Sequence, residues 1–287
     1  MTAAMRIWLA LLPGLVVLGL FFAGYVAFAI RFRGGDLPRY PEVEERPASR
    51  YLGHWLRTGM IWMLRPIEDL LIRCRITPNR ITASSSLLAL LGGVALAHGR
   101  FALGGWLYLF SGIFDIFDGR IARRTGNVSR FGGVLDSVSD RYGEFFAFAG
   151  LAWFYRGTPV VGLVVLAIFG SLMVSYVGAR SEAAGVSLPY RGWRRPERVL
   201  YLGLPVALSP VVAALFETRQ PPMHWVAVVA IGIIALGANV SAVRRFRDVR
   251  IAMTGPAPGE RSPSSAMPST DRRSPAVQAV RRGGEAA

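Results

Sequence analysis

The sequence predicts an all-α, polytopic integral membrane protein, and three observations carry that expectation. The chain has 287 residues, 52% of them hydrophobic, and a mean hydropathy of +0.38. Several apolar runs approach the roughly 20 residues needed to cross a bilayer as a helix. The basic residues between those runs alternate in density from one loop to the next, as cytoplasmic and external segments do.

Seven spans follow in order, at about 7–30, 81–98, 101–123, 131–154, 158–180, 197–216 and 223–243, each from its apolar run. The first is read as an uncleaved anchor. Ala27-Phe28-Ala29 resembles a signal-peptide cleavage site, but the apolar run is long for one and Arg31 and Arg33 follow it directly. The other six form a core. Residues 31–80 contain ten arginines, and further clusters stand at Arg123, Arg124 and Arg130, at Arg191, Arg194, Arg195 and Arg198, and at Arg244, Arg245 and Arg247. The opposite loops carry Arg100, Arg156 and Arg219 alone. The alternation puts the N-terminus outside and the C-terminus in the cytoplasm, across a cell membrane.

Four units result: residues 1–34 as an N-terminal transmembrane anchor, 35–76 as linker and juxtamembrane helix, 77–247 as a six-helix core, and 248–287 as a basic tail. Asp36 to Arg50 is rich in proline and charge and reads as linker. Residues 51–76 mix aromatic and aliphatic side chains with arginines, the composition of an amphipathic helix on the membrane surface, broken near Pro66. From Thr254 the chain has too few large apolar residues to build a core and is expected to be disordered.

Formal net charge is +15 and lysine is absent, so all 33 basic residues are arginine. Their confinement to loops beside apolar runs points to lipid headgroups and membrane orientation, not to nucleic acid. A single cysteine, Cys74, excludes an intrachain disulfide and a cysteine-based metal cluster. His54, His98 and His224 are scattered without metal-ligand spacing.

The chemistry is concentrated in DIFDGRIARRTGNVSRFGGVLDSVSD, residues 115–140. Asp115 and Asp118 are three apart and Asp136 and Asp140 four apart, so each pair shares one face of its helix. The chain turns near Gly126-Asn127, which leaves all four roughly 13–18 Å along a helix from the turn at about 1.5 Å per residue. Two adjoining antiparallel helices then gather four carboxylates at one depth. Unneutralised, they would repel and take up protons. Two divalent ions neutralise them, and all-oxygen ligation suits Mg²⁺ or Mn²⁺. A carboxylate-bridged ion pair about 4 Å apart is a recurrent device for displacement at phosphorus. Gly119, Ala122, Gly132 and Gly133 are small enough for a helix or a bulky ligand to approach the backbone closely.

Asp115-x2-Asp118-Gly119-x2-Ala122-Arg123-x8-Gly132-x3-Asp136-x3-Asp140 resembles the signature of the CDP-alcohol phosphotransferases, without gap or substitution. The resemblance covers roughly residues 75–245. It implies a six-helix, usually dimeric membrane enzyme with two metals in a cytoplasm-facing site. Such an enzyme moves a phosphatidyl group from CDP-diacylglycerol to an alcohol and releases CMP. It further implies that Asp115, Asp118, Asp136 and Asp140 ligate metal and that Asp140 is also the base. Pro78, Asn79, Arg80, Ile81, Gly119, Ala122, Arg123, Ser129 and Gly132 would contact the CDP donor.

Arg180, Arg195 and Arg198 are the candidate contacts for an acceptor that carries a phosphate, since several guanidinium groups around one pocket would bind it. The stretch SYVGARSEAAG with RPER resembles the phosphatidylinositol-phosphate synthase subgroup, which uses inositol phosphate, although a lysine is usual there where this chain has Gly178. Glycerol 3-phosphate, serine and free inositol stay open as acceptors. From another class, a divalent-cation transporter would also use membrane carboxylates, but it would spread them over several spans.

Overall fold

The structure is a computed structural model, and it describes residues 3–35, 37–40, 54–186, 195–218 and 222–254. Among them every regular element is a helix: α1 (Ala3–Arg31), α2 (His54–Arg73), α3 (Pro78–Ala97), α4 (Phe101–Arg124), α5 (Arg130–Phe154), α6 (Val160–Ala183), α7 (Arg195–Phe216) and α8 (Trp225–Thr254). Each of the seven expected spans appears as a helix. Six helices (α1, α3, α4, α6, α7 and α8) are long and apolar enough to cross a membrane. The seventh, α5, is equally long and lies along α3, but Arg130, Asp136, Asp140, Arg141 and Glu144 interrupt its apolar character. The molecule is a multi-pass membrane protein.

The bundle is organised around α3, which packs along both α4 and α5. Gly92 and Gly93 make this possible. A side-chain carbon on Gly93 would lie 2.2 Å from the Phe146 carbonyl oxygen, and one on Gly150 would lie 2.1 Å from the Gly93 oxygen. Helices meeting backbone to backbone in this way need small residues at the crossing. The carboxylate helices α4 and α5 therefore touch each other only lightly, with α3 wedged between them. Here the structure corrects the sequence reading, which made α4 and α5 direct neighbours. The other principal contacts are α4 with α7, α6 with α8, and α7 with α8. A core of Leu96, Phe101, Tyr108, Phe148, Leu151, Leu202, Ile231 and Ile234 fills the space between them.

The N-terminal anchor is docked on this bundle, not separate from it. Trp106 Nε1 on α4 donates to the Ala10 carbonyl at 2.8 Å, and Tyr25 Oη donates to the Leu56 carbonyl at 2.8 Å. Leu18, Leu20, Phe22 and Ile30 on α1 are exposed, as side chains facing lipid are.

Helix α2 departs from expectation. It runs unbroken through Pro66, although proline removes one backbone hydrogen bond. Packing offsets that loss: Leu64, Leu71 and Ile72 sit against the cluster of Ile81 of α3 with Phe117 and Ile121 of α4. The helix is a strut on the bundle as much as a surface helix. The linker residues 41–53, Arg191 and Arg194 of the basic loop, and the tail beyond Thr254 lie outside the described residues.

Candidate active site

The starts of α3, α5 and α7 meet the ends of α4, α6 and α8 at one end of the bundle, the end bearing the arginine-rich segments. Ser129 opens α5 in extended conformation, and its Oγ accepts from the Gly132 amide at 2.9 Å. Such a cap satisfies one of the orphan donors of the first helical turn. Pro78 opens α3 at a position where its missing N–H costs nothing. Asn79 Oδ1 then lies 3.8 Å from where a side chain on Gly132 would begin. The first turns of α3 and α5 thus stand side by side, and Pro78, Asn79, Ser129 and Gly132 converge.

Asp115, Asp118 and Asp136 each offer a carboxylate oxygen within 4.8 Å of the other two. Asp118 is 5% exposed. It accepts from Thr82 Oγ1 at 2.6 Å and from the Gly119 amide at 2.5 Å. Asp115 Oδ1 is buried without a hydrogen-bond partner, and a buried acceptor left unmatched requires explanation. An all-carboxylate set around such an oxygen fits a hard divalent cation. Asp140 stands one turn further along α5, outside the trio. Its Oδ1 lies 2.6 Å from Arg195 Nη1, which also donates to Asp115 Oδ2 at 2.5 Å. One guanidinium from α7 therefore joins a carboxylate of α4 to one of α5.

On α4, Arg123 runs back along the helix so that Nη1 lies 3.4 Å from the position a Gly119 side chain would take. Asp115, Gly119 and Arg123 form one stripe at four-residue intervals, each step advancing about 40° around the helix. Ala122 is half-buried and Arg80 exposed. Ile81 packs its side chain into the core with Phe117 and Ile121.

Beside the carboxylates lies a cavity of about 750 Å³ between α5, α6, α7 and α8, lined by Ser137, Asp140, Ser175, Gly178, Arg195 and Arg245 among others. Of the three arginines expected to meet a phosphate, Arg195 faces this cavity in contact with Asp115 and Asp140. Arg198 also lines it, but is 2% exposed and held by Glu144 through Nε to Oε1 at 2.7 Å and Nη2 to Oε2 at 3.0 Å. Arg180 is exposed and outside the cavity wall. On α6 the wall includes Ser175, Tyr176, Gly178, Ala179, Ser181 and Glu182 but not Arg180.

Sequence reasoning missed Thr82 as the hydroxyl partner of Asp118 and Arg245 as a cavity cation. Arg245 Nη1 donates to the Val174 carbonyl at 2.8 Å and lies 2.8 Å from where a Gly178 side chain would start. The absent side chain at Gly178 makes room for it. Thr82 lies one turn into α3 from Pro78, and no local signal links it to a residue 36 positions away.

A membrane bundle that gathers three carboxylates, one of them buried, beside an arginine-lined cavity fits a divalent-cation site next to an anionic ligand. The comparisons sharpen this. Residues 75–236 match the CDP-alcohol phosphatidyltransferase family, and the chain belongs to it. It is a transferase, which removes the cation-transporter alternative. The chain is 30% identical over 199 residues to the phosphatidylinositol phosphate synthase of Mycolicibacterium smegmatis, covering 68% of this chain and 86% of that one. It resembles the crystal structure of the Mycobacterium tuberculosis phosphatidylinositol phosphate synthase with CDP-DAG bound, at 28% identity and TM-score 0.56, over 64% of this chain and 92% of that one. The same enzyme in complex with manganese and citrate gives 27% identity and TM-score 0.57, over 69% and 91% of the two chains.

Proposed function

We propose that this protein transfers the phosphatidyl group of CDP-diacylglycerol to a hydroxyl of inositol phosphate and releases CMP. The observation that carries the reading is the junction of the carboxylate trio with the basic cavity through Arg195. The names of the relatives support both substrates.

Asp115, Asp118, Asp136 and Asp140 would hold two Mg²⁺ or Mn²⁺ ions, and the manganese complex of the related enzyme supports a divalent cation. When bound, the ions neutralise the pyrophosphate and the charge growing on departing CMP. The convergence of Pro78, Asn79, Gly119, Arg123, Ser129 and Gly132 beside the trio supports a nucleotide seat there. Backbone approach at Gly119 and Gly132 leaves space for the cytidine phosphates, and Arg123 pairs with a phosphate oxygen. Diacylglycerol tails stay in lipid alongside the bundle.

Asp140 is the base. Its carboxylate borders both the trio and the cavity, within reach of an acceptor hydroxyl seated there. The acceptor oxygen forms a bond to the β-phosphorus, the bond from that phosphorus to the bridging oxygen breaks, CMP departs, and the hydroxyl proton passes to Asp140. Arg195 and Arg245 pair with the acceptor's own phosphate. Arg245 supplies from α8 the cation that a lysine at position 178 supplies in the subgroup this chain resembles. Arg198, tied to Glu144, acts by fixing α7 against α5. The positive-inside pattern supports a cytoplasmic site in the cell membrane, and the family resemblance a homodimer built on the core of residues 77–247.

The test is an acceptor screen on purified protein with CDP-diacylglycerol and Mg²⁺ or Mn²⁺, following CMP. Inositol phosphate is expected to be turned over at least about tenfold better than glycerol 3-phosphate, serine or free inositol, as loss of a charge-paired phosphate implies. Preference for an unphosphorylated alcohol would overturn the acceptor assignment.

A further inference from the structure

The last two turns of α4 carry three arginines, Arg120, Arg123 and Arg124, and the structure treats them differently. Arg120 is buried. Its Nε donates to Glu68 Oε1 of α2. Arg124 donates through Nη1 to Glu68 Oε2 at 2.7 Å and through Nη2 to Asp69 Oδ1 at 2.6 Å. Arg123, on the adjoining stripe, runs to Gly119 instead. Glu68 is 0% exposed. It occupies the middle of the α2 docking face, between Leu64 and Leu71–Ile72, where a helix of this spacing ordinarily carries an apolar residue. A charge in that place is costly unless fully paired, and both of its oxygens are paired.

We infer that Glu68 is a positioning residue for the nucleotide end of the donor site: by anchoring Arg120 and Arg124 to α2, it sets the rotation of the α4 turn that presents Gly119 and Arg123. The inference rests on the donor reading of Arg123. Helix α2 ends at Arg73, before the residues that match the family begin at 75, so the anchor comes from outside the matched core. Because Asp115, Gly119 and Arg123 share one stripe, a small rotation of that turn shifts Gly119 and Arg123 together. Without Glu68, Arg120 and Arg124 lose the carboxylate that ties them both to α2, and the turn is no longer held in register with that helix.

The experiment uses the full chain in nanodiscs. It measures KM for CDP-diacylglycerol, KM for inositol phosphate, and the Kd of CDP in the presence of Mn²⁺. Glu68→Gln is expected to raise the donor KM and the CDP Kd about tenfold, the scale of a lost charge-assisted pair, and to leave the acceptor KM within about twofold. Values unchanged in Glu68→Gln, or both KM values raised alike, overturn the inference in favour of a general fold clamp. If Glu68→Gln does not yield folded protein, Asp69→Asn loosens Arg124 alone. A donor-specific rise of about threefold then supports the inference, as expected for a partly exposed pair, and no rise overturns it. Arg123→Ala separates the two levels: weakened CDP binding there with an unaffected Glu68→Gln sinks only the role of Glu68, whereas unaffected CDP binding in Arg123→Ala sinks the donor reading itself.

Discussion

Arg195 Nη1 lies 2.6 Å from Asp140 Oδ1, and the same nitrogen reaches Asp115 at 2.5 Å. A guanidinium and a divalent cation compete for those oxygens, because both are drawn to the same negative charge. The first prediction is that Arg195→Ala binds Mn²⁺ about tenfold more tightly, the effect of removing a charge-assisted hydrogen bond of about 1.5–3 kcal/mol. The same variant raises KM for a phosphorylated acceptor far more than for CDP-diacylglycerol. Manganese titration and paired KM measurements check both halves. An equal rise in both KM values would make Arg195 an organiser of the carboxylates and not an acceptor contact.

Asp140→Asn is expected to lower CMP release by about 10²-fold or more, the usual contribution of a positioned general base. Asp115, Asp118 and Asp136 meet without Asp140, so the variant still binds Mn²⁺, and it elutes as folded protein. Turnover near wild type would remove Asp140 as the base.

Thr82→Val deletes the hydroxyl that donates to buried Asp118 at 2.6 Å. Groups that orient metal ligands typically matter by about 10–100-fold in affinity. The expected result is a loss of Mn²⁺ affinity in that range with the helix content unchanged by circular dichroism. Affinity equal to wild type would mean that Asp118 needs no orienting partner.

Arg198→Ala leaves Glu144 as a buried, unpaired carboxylate. Breaking such a pair costs about 3–5 kcal/mol, so the variant unfolds at markedly lower temperature in detergent. Folded protein that survives keeps its acceptor KM within about twofold, because the acceptor phosphate is met by Arg195 and Arg245. A selective rise in acceptor KM at unchanged stability would return Arg198 to the binding surface.

The spans and the carboxylate hairpin were legible in the sequence because each rests on local signals: apolar runs of membrane length, spacings of three and four between aspartates, and a turn at Gly126-Asn127. What joins the hairpin to the rest was not. The wedge of α3 between α4 and α5 depends on Gly93 meeting Gly150 across the bundle, and a glycine in an apolar run does not name its partner. Thr82 with Asp118, Glu68 with Arg120, and Arg198 with Glu144 span 36, 52 and 54 residues. Arg180 and Arg198 read alike as basic residues near one loop, yet the first is exposed and the second is buried against Glu144. The unbroken course of α2 through Pro66 likewise reflects packing that no local rule contains.

The most direct test of the account is Mn²⁺ binding to purified protein, followed by electron paramagnetic resonance, in the wild type and in Asp115→Asn and Asp136→Asn. Two spin-coupled ions about 4 Å apart are expected in the wild type, with loss of that coupling in either variant. Protein that holds no manganese, or variants that bind it as the wild type does, would contradict the claim that α4 and α5 share a metal site.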